Sequence, residues 1–224
     1  MKVRASVARG EDRYALARER LAERLGRSGI RDTGVLRAIA EVLRHELVPE
    51  ALRDQAYLDR SLFIGEGQTI SAPGTVAAMT QALELKGHEH VLEVGTGSGY
   101  QAAILSRLAE RVISIERRPR LAAEARAGLE RLGVNNVVVY LGDGTRGRPG
   151  LGPFDAIVLT AGGPFVPEPL LDQLAPGGRL VGPFGTREEQ HLVRVRRDGS
   201  NGFREEILGP CRFVDLVGQH GWAS

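Results

Sequence analysis

The chain has 224 residues, of which 42% are hydrophobic and 26% charged, and its formal net charge is +2. This length suits one domain with a full core, and the composition argues against disorder and against a membrane span, because the longest apolar runs are only strand length. Arginines and carboxylates are nearly balanced, without the clustered lysines of a nucleic-acid track, and the single cysteine, Cys211, excludes an internal disulfide or a cysteine-based zinc cluster.

The opening "MKVRASVARGEDRY" has basic residues with no apolar core behind them, so no secretory signal is expected and a cytoplasmic location follows. In "EDRYALARERLAERLG" the apolar positions Tyr14, Ala17, Leu21 and Leu25 recur at helical spacing, and Gly26 is expected to end that helix. "DTGVLRAIAEVLRHEL" predicts a second helix capped by Asp32, with Leu36, Ile39, Leu43 and Leu47 as one stripe. A short irregular stretch holding Tyr57 and Phe63 is expected next. It leads into "IGEGQTISAPG" and then a helix over "PGTVAAMTQALEL", where proline is tolerated in the first turn.

From His90 the pattern alternates. "HVLEVG", "RVISIE", "NVVVYLG", "FDAIVLTA" and "GRLVGPFG" are short and almost wholly apolar, as strands buried on both faces of a parallel sheet must be. Helical stretches with glycine-bearing exits separate them. The prediction is therefore an α/β fold with a doubly wound, mostly parallel sheet, preceded by N-terminal helices and closed by antiparallel C-terminal strands in "HLVRVRR" and "REEILGPCRFVDLVG", with "RDGSNG" as their turn. One domain over 1–224 is expected. His88 and His90 in "GHEH" lack the further ligands a metal needs, so no metal is expected.

"VLEVGTGSGY" runs a strand into a glycine-rich turn and then a helix, a design that lets backbone approach a ligand closely. Dinucleotide and S-adenosylmethionine (SAM) sites share it. A dinucleotide fingerprint wants a small residue where this chain has Tyr100, and Glu93 two residues before Gly95 suits a cationic amino-acid group better than a pyrophosphate. Electrostatics thus favours SAM. Glu116, at the end of the second strand, is placed to accept from ribose hydroxyls, and Asp143 in "LGDGT" to accept from the adenine amine, with Gly144 leaving room for the ring. Ser71 has two open roles, helix cap or substrate contact.

In order along the chain, "IGEGQTISAP", "VLEVGTGSGYQAAIL", "ISIER", "GDG", "FDAIVLTAGGP", "LLDQLAPGGRLVGPFG" and "RFVDLVG" resemble the protein-L-isoaspartate O-methyltransferase family, from about Leu36 through Val217. The resemblance implies a Rossmann-like SAM-dependent fold, with 1–72 as a helical, substrate-facing part and 73–224 as the cofactor core with its C-terminal strands. It implies methyl transfer from SAM, leaving S-adenosylhomocysteine, to the α-carboxylate of L-isoaspartyl residues in peptides and proteins, after which the ester closes to a succinimide that hydrolyses partly to aspartate. By the same resemblance Ser71 is the active-site serine. The cofactor is expected against Gln68, Thr69, Ile70, Ser71, Glu93, Gly95, Thr96, Gly97, Ser98, Gly99, Glu116, Arg117, Asp143, Gly144 and Val217, and the substrate against Ser71, Ala72, Pro73, Thr160 and Val214.

The partners implied are isoaspartyl peptides and proteins, with no nucleic acid or membrane, and a monomer is expected. Four positions depart from the family pattern. Gly162 and Gly163 are expected to loosen the loop after the fourth strand of the alternating part, and Asp215 to bring a like charge near an anionic substrate. Gly74 stands where the family carries a larger residue. Other readings of the same motifs are a SAM-dependent enzyme for another acceptor, such as a natural-product peptide or small molecule, and a non-catalytic SAM-binding protein.

Overall fold

The computed structural model describes residues 13–199 and 202–223. The amino-terminal segment read for a secretory signal lies outside this range through residue 12, as do residues 200 and 201 of the expected turn.

Helix α1 (Ala15–Arg27) buries Leu21 and Leu25 and runs past Gly26. Gly29, not Gly26, takes the left-handed conformation that follows a helix end, at φ 112°. Helix α2 (Thr33–Glu41) starts as expected: Asp32 accepts from the amides of Gly34 and Val35. It stops at Glu41, earlier than expected, and Arg44–Leu47 and Glu50–Gln55 form 3-10 turns. The reason is Arg44, which is fully buried, donating from Nε to the carbonyl of Ala56 at 2.8 Å and stacking 4.7 Å above the Tyr100 ring. A continuous helix would keep the α2 stripe but not deliver this cation to its partners. The stripe is also shifted: Val35, Ala38, Ile39 and Val42 are buried, while Leu36 is only partly so.

The stretch expected to be irregular is a hairpin. Strands β1 (Leu62–Gly65) and β2 (Gln68–Ile70) pair antiparallel around Glu66 and Gly67, both at positive φ, the conformation a tight hairpin turn demands. Glu66 tethers the turn to Arg118 at 3.5 Å and Arg120 at 3.7 Å. Helix α3 (Pro73–Ala82) then packs against the main sheet.

That sheet contains β3 (His90–Val94), β4 (Arg111–Glu116), β5 (Val137–Leu141), β6 (Phe154–Leu159), β7 (Leu174–Gly185), β8 (Gln190–Asp198) and β9 (Gly202–Cys211), in the order β5-β4-β3-β6-β7-β8-β9. The first five are parallel, and β8 and β9 add antiparallel to β7. Helices α4 (Tyr100–Leu105), α5 (Pro119–Arg131) and α6 (Glu168–Asp172) make the crossovers. The chain builds outward from β3 in one direction and from β6 in the other, so the strand order reverses between them. The carboxyl ends of β3 and β6 flank the crevice where such sheets bind ligands.

The tail differs from expectation. Strand β9 ends at Cys211, and "RFVDLVG" leaves the sheet edge to cross back over this crevice. Gly162 donates to Val214 at 2.7 Å, and Leu216 donates to Gly162 at 2.8 Å. Among the described residues no helix is long and apolar enough to cross a membrane, and no three metal-ligating side chains gather.

Candidate active site

Gly95, Gly97 and Gly99 carry the chain from β3 into α4 at φ 98°, 52° and 84°. A side chain at Gly95 would also put its Cβ 2.4 Å from the Thr160 hydroxyl, which bonds the Gly95 and Val94 carbonyls across the β3–β6 crevice. The loop is thus main chain laid bare. Glu116 ends β4 facing it, accepting from the Gly97 amide at 2.8 Å and the Arg118 amide at 2.9 Å, with lone pairs to spare for a ligand hydroxyl.

Above the loop is a cavity of about 310 Å³. Of the residues expected at the cofactor, Gln68, Thr69, Ile70 and Ser71 close it from the hairpin, while Gly95, Thr96, Gly97 and Ser98 form its floor. Glu116, Arg117, Gly144 and Val217 complete the set on its walls. Tyr100, Gln101, Arg118 and Asp215 also line it and were not foreseen.

Two expected acids do not reach the cavity surface. Glu93 is fully buried beneath the loop: Oε2 accepts from Ser114, which is in turn hydrogen-bonded to Thr96, and among the described residues Oε1 meets no donor at full hydrogen-bond geometry, the Ala102 amide coming nearest to one. Burial pushes its pKa up to about 8, helped by the Glu116 charge and opposed by the Ser114 hydrogen bond, so the carboxyl is largely neutral at pH 7. The direct charge on a cofactor ammonium expected of Glu93 is therefore not what this position offers. It braces the loop from below.

Asp143 is drawn into the fold as well. Its oxygens accept from the Thr145 amide and hydroxyl and, at 2.8 Å, from the Gln219 amide of the tail. Although burial works against the charge, these donors hold the carboxyl below its ordinary range. A Cβ on Gly144 would strike Val94 at 2.5 Å, so this glycine lets β3 and the β5 exit pack closely. Gly99 is the N-cap residue of α4 and Pro73 is buried in the first turn of α3; neither is in the lining of this cavity or of the one beside it.

A second cavity of about 360 Å³ adjoins the first and is lined by Ser61, Ala72, Thr75, Arg212 and Phe213. Thr69, Ser71, Thr160 and Val214 line both. They form the wall between the cavities, and four of the five expected substrate residues, Ser71, Ala72, Thr160 and Val214, border the second one. Ser61, Thr75 and Arg212 carry no sequence signal; only the fold brings them here.

Ser71 does not cap α3. The N-cap residue is Ala72, without a side-chain bond, and the Gly74 amide is bound instead by Asp59 at 2.7 Å. Nothing among the described residues occupies the Ser71 hydroxyl, which leaves it available at the wall.

The departures at the roof also resolve. Gly162 and Gly163 do not loosen their loop. A Cβ at Gly162 would meet the Gln190 amide at 2.5 Å, and one at Gly163 would meet Leu216 at 3.1 Å, so glycine permits close packing there. Their main chain is bonded to Val214, Leu216, Pro183 and Gly185, and the Gly162 carbonyl also accepts from the Trp222 indole at 2.9 Å. Asp215 lines the first cavity rather than the second and pairs with Arg187 at 2.8 Å, so its charge is compensated.

A parallel sheet with a bare glycine loop at its reversal point, a carboxylate ending the next strand and an adjoining second cavity define a SAM-dependent methyltransferase of Rossmann-like fold. The model of the family "Protein-L-isoaspartate(D-aspartate) O-methyltransferase (PCMT)" matches residues 16–221, and the chain belongs to that family. Among relatives, protein-L-isoaspartate O-methyltransferase 1 of Syntrophobacter fumaroxidans is 56% identical over 93% of this chain and 98% of its own. The enzyme of Syntrophus aciditrophicus is 51% identical over 95% of this chain and 99% of its own. A solved structure from Plasmodium falciparum, described as a beta-aspartate methyltransferase in complex with S-adenosyl-L-homocysteine, superposes with a TM-score of 0.77 at 27% identity, covering 89% of this chain and 98% of that one.

Proposed function

We propose that this chain methylates the α-carboxylate of L-isoaspartyl residues in damaged peptides and proteins, with the methyl donor in the first cavity, the acceptor in the second and Ser71 between them. The observation that carries this reading is the shared wall of Thr69, Ser71, Thr160 and Val214. Cavities that share these four lining residues abut there, so reactants held in the two would be brought together at Ser71, as an in-line transfer needs.

The residues present fit SAM. Main chain at Gly95 and Gly97 admits close approach, and Glu116 has acceptor capacity at the rim for ribose hydroxyls. When bound, SAM supplies a methyl group activated by sulfonium, and a carboxylate oxygen takes it without any proton being moved. The carboxylate is ionised at pH 7, so the site needs no general base, and its want of a catalytic histidine is no defect. Ser71 donates a hydrogen bond to one carboxylate oxygen and turns the other toward the wall. With donor and acceptor bound beneath the hairpin and the tail, little room would be left for water, which favours a step in which opposite charges neutralise.

The same reading has residues 1–224 acting as one domain and as a monomer, in the cytoplasm, on polypeptides rather than nucleic acid; the near balance of charge supports it. The deciding experiment is transfer of labelled methyl from SAM to paired peptides containing isoaspartate or aspartate. Transfer to the isoaspartyl member alone is the expected result. Equal labelling of both members, or of neither, overturns the reading.

A further inference from the structure

Among the described residues Arg212 is the only charged side chain lining the second cavity; Ser61, Thr69, Ser71, Ala72, Thr75, Thr160, Phe213 and Val214 are neutral. It is exposed, and among the described residues it has neither an ion pair nor a hydrogen bond. Of the carboxylates on neighbouring segments, Asp59 is engaged on the Gly74 amide and Asp215 on Arg187, while Glu189, beside the Gln190 that pairs with Cys211, forms no ion pair with Arg212 among the described residues. Its main chain, by contrast, is fixed. The buried Gln190 side chain accepts from the Phe213 amide at 2.8 Å, which sets the path of the chain on both sides of that residue. A free cation on a pinned backbone, in a cavity without countercharge, is built to meet an anion from outside.

Position decides which anion. Arg212 lines the second cavity only and is not part of the wall shared with the first. It therefore stands back from the point of transfer, where a guanidinium would also compete for the lone pair that must attack. We infer that Arg212 is a specificity residue, pairing with a carboxylate on the residue next to the isoaspartyl unit, so that the enzyme favours damage sites with an acidic neighbour. This inference rests on the proposed function.

The test uses hexapeptides with one isoaspartyl residue flanked on one side or the other by Glu, Gln or Lys, assayed with wild type, Arg212→Gln and Arg212→Glu. Comparing kcat/KM between peptides for one enzyme cancels any loss of folded protein. Wild type should favour Glu over Gln about threefold to fivefold, the range of a partly exposed ion pair, mainly through KM and less at high salt. Arg212→Gln should level the series, and Arg212→Glu should invert it in favour of Lys. A uniform loss across all peptides, the Gln-flanked ones included, would place Arg212 on the reacting carboxylate or in the fold and overturn the inference; so would an unchanged ranking in Arg212→Glu. If wild type labels no isoaspartyl peptide, the functional reading itself fails first.

Discussion

Asp59 accepts the amide of Gly74 at 2.7 Å and so takes over the capping of the helix that Ser71 precedes. The hydroxyl one turn earlier is thereby released for other work. Ser71→Ala should change stability by less than about 0.5 kcal/mol, as an unbonded, partly exposed site allows. Its kcat should fall about 10- to 100-fold, the worth of one hydrogen bond to a charged group. Thermal melts beside initial rates check this, and a melting loss that accounts for the lost activity would return Ser71 to a structural role.

Gly74 and Asp59 should also show coupling of opposite sign. A Cβ at position 74 would lie 2.7 Å from one Asp59 oxygen, so Gly74→Ala should displace the cap and cost about 1 kcal/mol. In an Asp59→Ala background no carboxylate remains to displace, and the same change should stabilise by up to about 1 kcal/mol through helix propensity. A double-mutant cycle by denaturant titration measures the sign reversal.

Glu93 predicts a pH dependence. Its folded pKa, raised by burial to about 8, lies above the unfolded value near 4.5, so the folded state holds a proton that the unfolded state gives up. Stability from this group is fully present below the unfolded pKa and is lost as pH rises through the folded one. Wild type should lose melting temperature between about pH 5 and pH 8, and Glu93→Gln should flatten that slope. Parallel slopes for the two proteins would count against a buried neutral carboxyl.

Arg187 joins the turn after β7 to the tail, pairing with Asp215 at 2.8 Å and lying 4.6 Å over the Trp222 ring. Both contacts are partly exposed, so each is modest. Arg187→Ala should weaken SAM binding about threefold to tenfold by calorimetry, Asp215→Asn less so, and added salt should erode the wild-type affinity toward that of Asp215→Asn. An affinity unaltered in Arg187→Ala would mean the tail holds without this pair.

Much of this was legible from the chain alone. Parallel strands announce themselves as apolar runs, because both faces of each are covered, and the glycine loop does so because few other residues tolerate its angles. Glu116 follows from its distance from those markers, whereas Ser71 follows from the resemblance of its segment to the family. What escaped notice depends on contacts remote in sequence. The break after α2 is explained by where the Arg44 charge must go, 12 residues away at Ala56. The hairpin at Glu66 escaped because its strands are only four and three residues long, too short for alternation to register. Glu93 was read as a ligand group because a strand-end acid looks the same whether it faces solvent or the layer beneath. Gly162 and Gly163 read as slack, since sequence shows the missing side chain but not the Gln190 amide and Leu216 side chain packed against the space.

The roof over the first cavity is fastened through peptide groups at Gly162, Val214 and Leu216, so its hold depends on spacing more than on residue identity. Single replacements in this stretch would leave most of those bonds standing, and a scan of side-chain truncations would understate its importance. Removal of Asp215, the residue between Val214 and Leu216, would leave the chain one residue short of reaching both bonds to Gly162 and would loosen the cover. Evolutionary drift here should therefore favour exchanges of residue type over changes of length.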